Sequence, residues 1–288
     1  MRKAISTSFV FGMLTLSASA PALAFTTTYL DTGYAATSFT TLSFDARAFA
    51  FDNSMNLFAS STADDNTGTI DISEFFAASN YTTSSTAYSY TPFGGALSGL
   101  DFHGNQLIAA VSSADSNRGG IYDAATAALI KKLPDFRPTG IDARADILFT
   151  GRLASNLDFG NVYKLNADNS LSIVISNLPL RGIAADSSAN IFVSTTPDQY
   201  GSFLGNSIYE FSSVEDYNPS TAKLIATLGG TGSTELTFDN QGRLYSLYTL
   251  GVSTEIIQIT AVPEPETYAM LMAGLGLVSF MVRRRKTA

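Results

Sequence analysis

The sequence predicts an all-β protein: a β-propeller of five, or six, four-stranded blades, flanked by an N-terminal signal helix and a single C-terminal transmembrane helix. Three observations predict this. One phrase, made of an apolar pair, an Asp-containing turn and a second apolar stretch, recurs five times along the chain. A short alternating strand comes after each copy. Both chain ends carry an apolar run beside basic residues, unlike the polar body between them.

The first element is MRKAISTSFVFGMLTLSASAPALAF. Arg2 and Lys3 precede an apolar stretch through Leu16, and small residues come next, ending Ala22-Leu23-Ala24. A charged start, a short apolar run and an A-x-A end form the pattern of a secretory signal peptide. Residues 1–24 are therefore expected to be removed by signal peptidase, with Ala22 and Ala24 marking the cut before Phe25. The body, residues 25–261, is expected to fold outside the cytoplasm.

That body is long enough for one large core. Of the 17 basic residues, Arg2, Lys3, Arg283, Arg284, Arg285 and Lys286 lie in the end segments; of the 25 acidic ones, Glu264 and Glu266 do. The body keeps 11 basic and 23 acidic residues, net −12. Such a charge repels a phosphate backbone and excludes nucleic acid as the natural partner. It suits a Ca²⁺ ion or a cationic partner better, although no cofactor is required. With no cysteine there are no disulfides, thiolate metal sites or cysteine nucleophiles. His103 is the only histidine, which rules out a multi-histidine zinc site and leaves a Ser-His-Asp triad one candidate.

The repeated phrase reads AFAFDNSMNLFASS at 48–61, GLDFHGNQLIAAVSS at 99–113 and GIDARADILFTG at 140–151. It returns as GIAADSSANIFVSTT at 182–196 and ELTFDNQGRLYSLYT at 235–249. The closing dyads begin at Leu57, Leu107, Ile147, Ile191 and Leu244, at spacings of 50, 40, 44 and 53. Units of about 40 to 50 residues have the period of propeller blades. The strands after the dyads are GTIDIS, GGIYDA, GNVYKLN, NSIYEFS and TEIIQIT. Val162-Tyr163-Lys164-Leu165 and Ile208-Tyr209-Glu210-Phe211 alternate with period two. Asp52, Asp186 and Asp239 each stand five residues before a dyad, where an Asp side chain bonds its own backbone in a tight turn. The fragment G-I-x-x-D-x-x-x-N-I-[FY]-V resembles repeats of the NHL and gluconolactonase-like propeller families, and 182–193 fits it best. The absence of Trp excludes a Trp-Asp repeat propeller.

A ring of blades has to close. The last copy reaches only its third strand, so TTTYL at 26–30 is expected to complete the final blade. A sixth blade would have to lie in NYTTSSTAYSYTPF, 80–93, otherwise read as an outer strand and a loop. A β-sandwich is the alternative architecture.

Residues 262–288 form the last element. Pro263-Glu264-Pro265 precedes a sixteen-residue apolar run, Thr267–Val282, and the basic cluster Arg283, Arg284, Arg285 and Lys286. At ~1.5 Å per residue the run covers ~24 Å, short of the ~30 Å hydrocarbon core that a lasting anchor spans. These three elements, in this order, closely resemble the PEP-CTERM sorting signal. The resemblance implies a transient inner-membrane helix with the basic cluster cytoplasmic and the body periplasmic. It also implies an exosortase that recognises Pro263, Glu264 and Pro265, removes the helix and sends the body to the cell surface or extracellular matrix. That enzyme belongs to exopolysaccharide-producing Gram-negative bacteria, so polysaccharide and other matrix components become the implied partners. The prolines also keep the recognition strip extended.

Other motifs carry less. DDNTGTIDISEF, 64–75, spaces Asp64 and Asn66 like a calcium loop but lacks the closing acid. Asp115, Asp158 and Asp198 occupy equivalent loops, which a propeller would gather at one ring end. His103 and Lys131-Lys132 are expected to be solvated, and Tyr122, Tyr163, Tyr209 and Tyr245 to pack between blades. The expected function is that of a non-catalytic, exported binding or structural protein. The alternative, implied by the gluconolactonase-like resemblance, is a divalent-metal hydrolase or lactonase with an axial Glu, Asn and Asp set. Glu235 would serve it, but the equivalent positions Gly140 and Gly182 carry no ligand.

Overall fold

The computed structural model describes residues 27–61, 70–90, 96–113, 119–133, 136–153, 160–195, 204–229, 233–249 and 253–262, with Ala273 and Leu275. The signal segment with Ala22 and Ala24, and the sorting residues Pro263, Glu264, Pro265, Arg283, Arg284, Arg285 and Lys286, lie outside the described residues. So does the apolar run read as a transmembrane helix, apart from Ala273 and Leu275. Among the described residues no helix is long and apolar enough to cross a membrane.

Two strands come before the repeats, β1 (Thr27–Leu30) and β2 (Tyr34–Leu42). Blade 1 is β3 (Ala46–Phe51), β4 (Leu57–Ser61), β5 (Ile70–Phe75) and β6 (Ser84–Tyr90). Blade 2 is β7 (Ala96–His103), β8 (Gln106–Ser112), β9 (Gly120–Asp123) and β10 (Leu129–Lys132). Blade 3 is β11 (Phe136–Asp142), β12 (Ile147–Leu153), β13 (Gly160–Leu165) and β14 (Leu171–Leu178). Blade 4 contains β15 (Leu180–Ala185), β16 (Ile191–Thr195), β17 (Ser207–Phe211) and β18 (Lys223–Leu228). Blade 5 contains β19 (Ser233–Phe238), β20 (Leu244–Thr249) and β21 (Thr254–Ala261). Each blade is an antiparallel meander, and the inner strands β3, β7, β11, β15 and β19 touch in turn around a closed ring. The ring has five blades. Residues 84–90 form the outer strand of blade 1, so no sixth blade lies there.

The closure differs from the expectation by one strand. β1 adds to the outer edge of blade 4, pairing with β18, and β2 completes blade 5 beside β21. The chain turns between them at Asp31-Thr32-Gly33. There Tyr34 N donates to Asp31 O at 2.9 Å, and Gly33 N donates to the Asp31 carboxylate at 2.9 Å. Four residues of β1 cannot cover the eight of β21, whereas the nine of β2 run its whole length, Tyr34 opposite Ala261 and Leu42 opposite Thr254.

Side-chain alternation explains why the inner strands are apolar on both faces. Ala48 and Ala50 enter the cluster shared with blade 2, while Phe49 and Phe51 enter the one shared with blade 5. In β8, Leu107 and Ala109 face blade 1, and Ile108 and Ala110 face blade 3. Among the described residues five such clusters form, one in each gap. Tyr163, Tyr209 and Tyr245 lie in them, Tyr245 fully buried against Phe51 at 4.6 Å between ring centroids.

The Asp turns hold the hairpins as expected. Asp52 Oδ1 accepts from Ser54 N and Asn56 N, and Asn56 Nδ2 donates to Oδ2. Asp186 repeats the pattern with Ser188 and Asn190, and Asp239 repeats it with Gln241 and Arg243. Met55 and Ala189 are left-handed, at φ 67° and 61°, where blade 5 places Gly242.

Candidate functional site at the ring axis

Every inner strand pairs irregularly with its neighbour at the same height, just before or at Ala48, Gly99, Gly140, Gly182 and Glu235. Such bulges bend the strand and re-aim the side chains beyond them. Three consecutive blades carry glycine there, and the next strand lies hard against each. A Cβ on Gly99 would stand 2.8 Å from Ile141 N, one on Gly140 2.8 Å from Gly182 Cα, and one on Gly182 2.7 Å from Glu235 Cα. In blade 5 the position is Glu235, fully buried, whose Oε1 accepts from Ile141 N of blade 3 at 3.4 Å. Its carboxyl thus reaches past blade 4, and Oε2 has no partner among the described residues. Side chains and close-packed backbone occupy the centre of the ring.

Toward the turn end, two blades depart from the repeat. Blades 1, 4 and 5 carry the turn aspartate four residues after the axial position. Blades 2 and 3 have His103 and Arg144 there, and each carries an aspartate two residues earlier, at Asp101 and Asp142. Both of these aspartates are buried and bond the next blade. Asp101 Oδ2 accepts from Ala143 N at 2.7 Å, and Asp142 Oδ2 accepts from Ala185 N at 2.9 Å. Arg144 spans the acids, with Nη2 3.6 Å from Asp142 Oδ2 and Nε 3.9 Å from Asp101 Oδ2. It also donates to Asp239 O at 3.2 Å and lies over the Phe238 ring at 5.3 Å. One guanidinium therefore ties blades 2, 3 and 5 together. His103 is exposed as expected, and its Nδ1 lies 2.6 Å from Ala143 O. Because a carbonyl only accepts, Nδ1 is the donor in this contact.

Burial raises all three axial carboxyls. For Asp101 the Arg144 charge and the Ala143 N–H oppose the rise. Asp142 is raised to about 7, by burial first and then by the neighbouring Asp101, against Arg144 and the Ala185 and Arg144 N–H groups. Glu235 is raised well above the ordinary range by burial, opposed by the Ile141 N–H and reinforced by both aspartates. A carboxyl whose folded pKa is raised binds its proton more tightly in the native state. Its contribution to stability is full below the unfolded pKa of about 4 and is lost as pH rises through about 7. The urea midpoint is therefore expected to fall between pH 5 and pH 8, and Asp142→Asn to flatten that fall. An unchanged slope in the variant would remove Asp142 as its source.

The structure brings Glu235, Asp101, Asp142 and Arg144 together. Sequence reasoning names only the first of these. The others are signalled by the Asp that shifts from the turn into the strand in the two copies where the turn position is His or Arg. Among the described residues no three His, Cys, Asp or Glu side chains are arranged to hold a metal. Asp64, Asn66, Asp115, Asp158 and Asp198 lie outside the described residues. The arrangement is chemically suited to locking blades: its carboxyls accept neighbouring backbone N–H groups and its cation is shared among three strands.

The described body ends on β21 of blade 5, at the same end of that blade as the Asp239 turn. Val262 N donates to Gly33 O at 2.7 Å, so the last described residue before Pro263 is still bonded to the body. The PEP-CTERM protein-sorting motif matches residues 261–286. No curated protein matches the chain. Among solved structures, a Bacteroides thetaiotaomicron protein of unknown function is similar at a TM-score of 0.50 and 14% identity, over 74% of this chain and 58% of that one. A Trichoderma reesei carbohydrate-active enzyme, in a calcium structure, is similar at 0.51 and 12%, over 83% of this chain and 98% of that one. The soluble aldose sugar dehydrogenase of Escherichia coli is similar at 0.45 and 12%, over 80% of this chain and 100% of that one. The chain spans little more than half the length of the first of these. At such identities the likeness of the first two is one of fold.

Proposed function

We propose that this chain is an exported propeller delivered to the cell surface or matrix by its C-terminal signal, where the body binds or builds with polysaccharide and performs no catalysis. The sorting motif at 261–286 implies recognition by an exosortase and passage through the membrane toward the surface. One observation carries the reading further: the motif begins where β21 ends, beside a residue still bonded to the body. Removing everything after Val262 would leave every described strand intact, as a disposable handle requires. In this reading Pro263, Glu264 and Pro265 are the recognised strip. Arg283, Arg284, Arg285 and Lys286 hold the short helix with its end in the cytoplasm. A binding role suits a ring whose axis is filled by its own carboxyls and glycines, because the surface is then the part left to interact.

Mass spectrometry of the surface-delivered protein tests the route. Peptides from the body should be recovered without any that run through Arg285, and Glu264→Ala should leave the full-length chain in the inner membrane. Full-length protein delivered to the surface with its tail intact would defeat the proposal.

A further inference from the structure

The same turn occurs twice in the ring, once sealed and once open. After the third strand of blade 1, the chain makes a 3-10 turn over Ala77–Ser79 and then two left-handed residues, Asn80 and Tyr81, at φ 50° and 62°. Blade 4 repeats this with Ser213–Glu215, Asp216 and Tyr217, both left-handed at φ 52°. The supports match as well: Asn56 Oδ1 accepts from Ala77 N, and Asn190 Oδ1 accepts from Ser213 N. In each case the tyrosine points toward the outer strand of the preceding blade.

The two gaps are finished differently. Tyr81 lies 4.8 Å from the ring of Phe39 on β2, and its hydroxyl donates to Met55 O at 3.0 Å. Opposite Tyr217 the outer strand is β14, which offers aliphatic side chains and no aromatic ring. No hydrogen bond to the Tyr217 hydroxyl occurs among the described residues. A cavity of about 370 Å³ remains, lined by the buried or half-buried Val174, Ile175 and Tyr217 and by the exposed Pro219. Its rim carries Ser176, Glu215, Asp216 and Asn218. The Ser176, Glu215 and Asp216 side chains make no hydrogen bond among the described residues. The volume lies within the ~300–1,000 Å³ of small-molecule sites.

We infer that this open copy is a subsite for one sugar ring that bears no acidic group. A pyranose has an apolar C–H face and a polar edge, and the cavity offers a tyrosine and a proline for the first. For the second it offers two carboxylates, which accept from hydroxyl or ammonium groups. Lys and Arg are absent from the lining, so a uronate or sulfated sugar would meet only like charge. An amino sugar gains most, because its ammonium faces Glu215 and Asp216 in a body of net negative charge. This inference rests on the polysaccharide reading above and gives it a place and a sugar class.

Calorimetric titration of the full chain in detergent with trimers of glucosamine, glucose and galacturonic acid provides the test. The glucosamine trimer should bind at roughly millimolar affinity, the glucose trimer more weakly and the galacturonate trimer not at all. Glu215→Gln with Asp216→Asn, both exposed positions where asparagine tolerates the left-handed backbone, should weaken glucosamine binding about tenfold. Ser176→Phe, which fills the groove, should abolish binding with the melting temperature retained. Equal binding by all three proteins would overturn the groove while leaving the polysaccharide reading standing. If the wild-type chain binds none of the trimers, the groove is overturned. If it also fails to adhere to the producing cell's own polysaccharide, the wider reading falls with it.

Discussion

Gly182→Ala is expected to destabilise the ring by about 3 kcal/mol, the upper part of the usual range for overpacking. In a domain of this size that lowers the melting temperature by roughly 6–12 °C. The new Cβ would stand 2.7 Å from Glu235 Cα and 2.8 Å from Leu236 N, both backbone atoms that no rotamer change can move. Relief would require β15 and β19 to separate, opening the cluster that joins blades 4 and 5. Gly104→Ala is the control. That glycine sits in a turn at φ +62° with nothing near a Cβ, so it suffers backbone strain alone, about 1 kcal/mol. Thermal melts of the two variants should therefore separate by several degrees. Equal losses would mean that the close approach at the axis is relaxed in solution.

Deleting residues 27–42 is expected to prevent a stable monomer, whereas deleting residues 263–288 is expected to leave the melting temperature within about 2 °C of the full chain. The first deletion removes β1 and β2 together. β21 would then present an unpaired edge along its length, β18 would lose its cover, and Leu42 would leave the blade 5 to blade 1 cluster. An open edge with apolar strands behind it is a template for association. The tie to blade 4 would go too. Tyr34 OH donates to Glu210 Oε2 at 3.2 Å, Lys223 Nζ stands 3.3 Å from Asp31 Oδ1, and the same ammonium lies 5.1 Å above the Tyr34 ring. Size-exclusion chromatography should show aggregate for the first chain and monomer for the second. A folded monomer lacking residues 27–42 would show that the seam is dispensable.

The inner two strands of every blade are legible in the sequence because two independent signals coincide in them. The apolar dyads Leu57-Phe58, Leu107-Ile108, Ile147-Leu148, Ile191-Phe192 and Leu244-Tyr245 sit in strands packed on both faces, and in blades 1, 4 and 5 the turn before them carries an aspartate that bonds its own backbone. Outer strands have neither signal. β6 reads SSTAYSY and is largely exposed, so its residues answer to solvent more than to packing. The closing strand is ambiguous for that reason: 26–30 and 34–42 are both rich in Thr and Tyr, and only the Asp31-Gly33 turn separates their destinations. The axial site is half visible. Glu235 stands out because its equivalents are glycines, but Asp101 and Asp142 resemble turn aspartates until pairing places them inside strands. Tyr217 gives no signal by itself; its meaning lies in comparison with Tyr81, which requires both gaps to be seen.

The seam between β2 and β21 also governs when the molecule can finish folding. Blades 1 to 3 assemble from hairpins whose partners leave the ribosome in succession, but blades 4 and 5 each take a strand, β1 or β2, made before all the others of the ring. Loop-closure entropy makes such a distant pairing slow. A nascent chain must keep residues 27–42 unspent until the last two blades are made. Refolding should accordingly show one late phase that reports on β1 and β2 together. Its rate should respond to substitutions at Ala36 or Ile259 and be indifferent to those in blade 2.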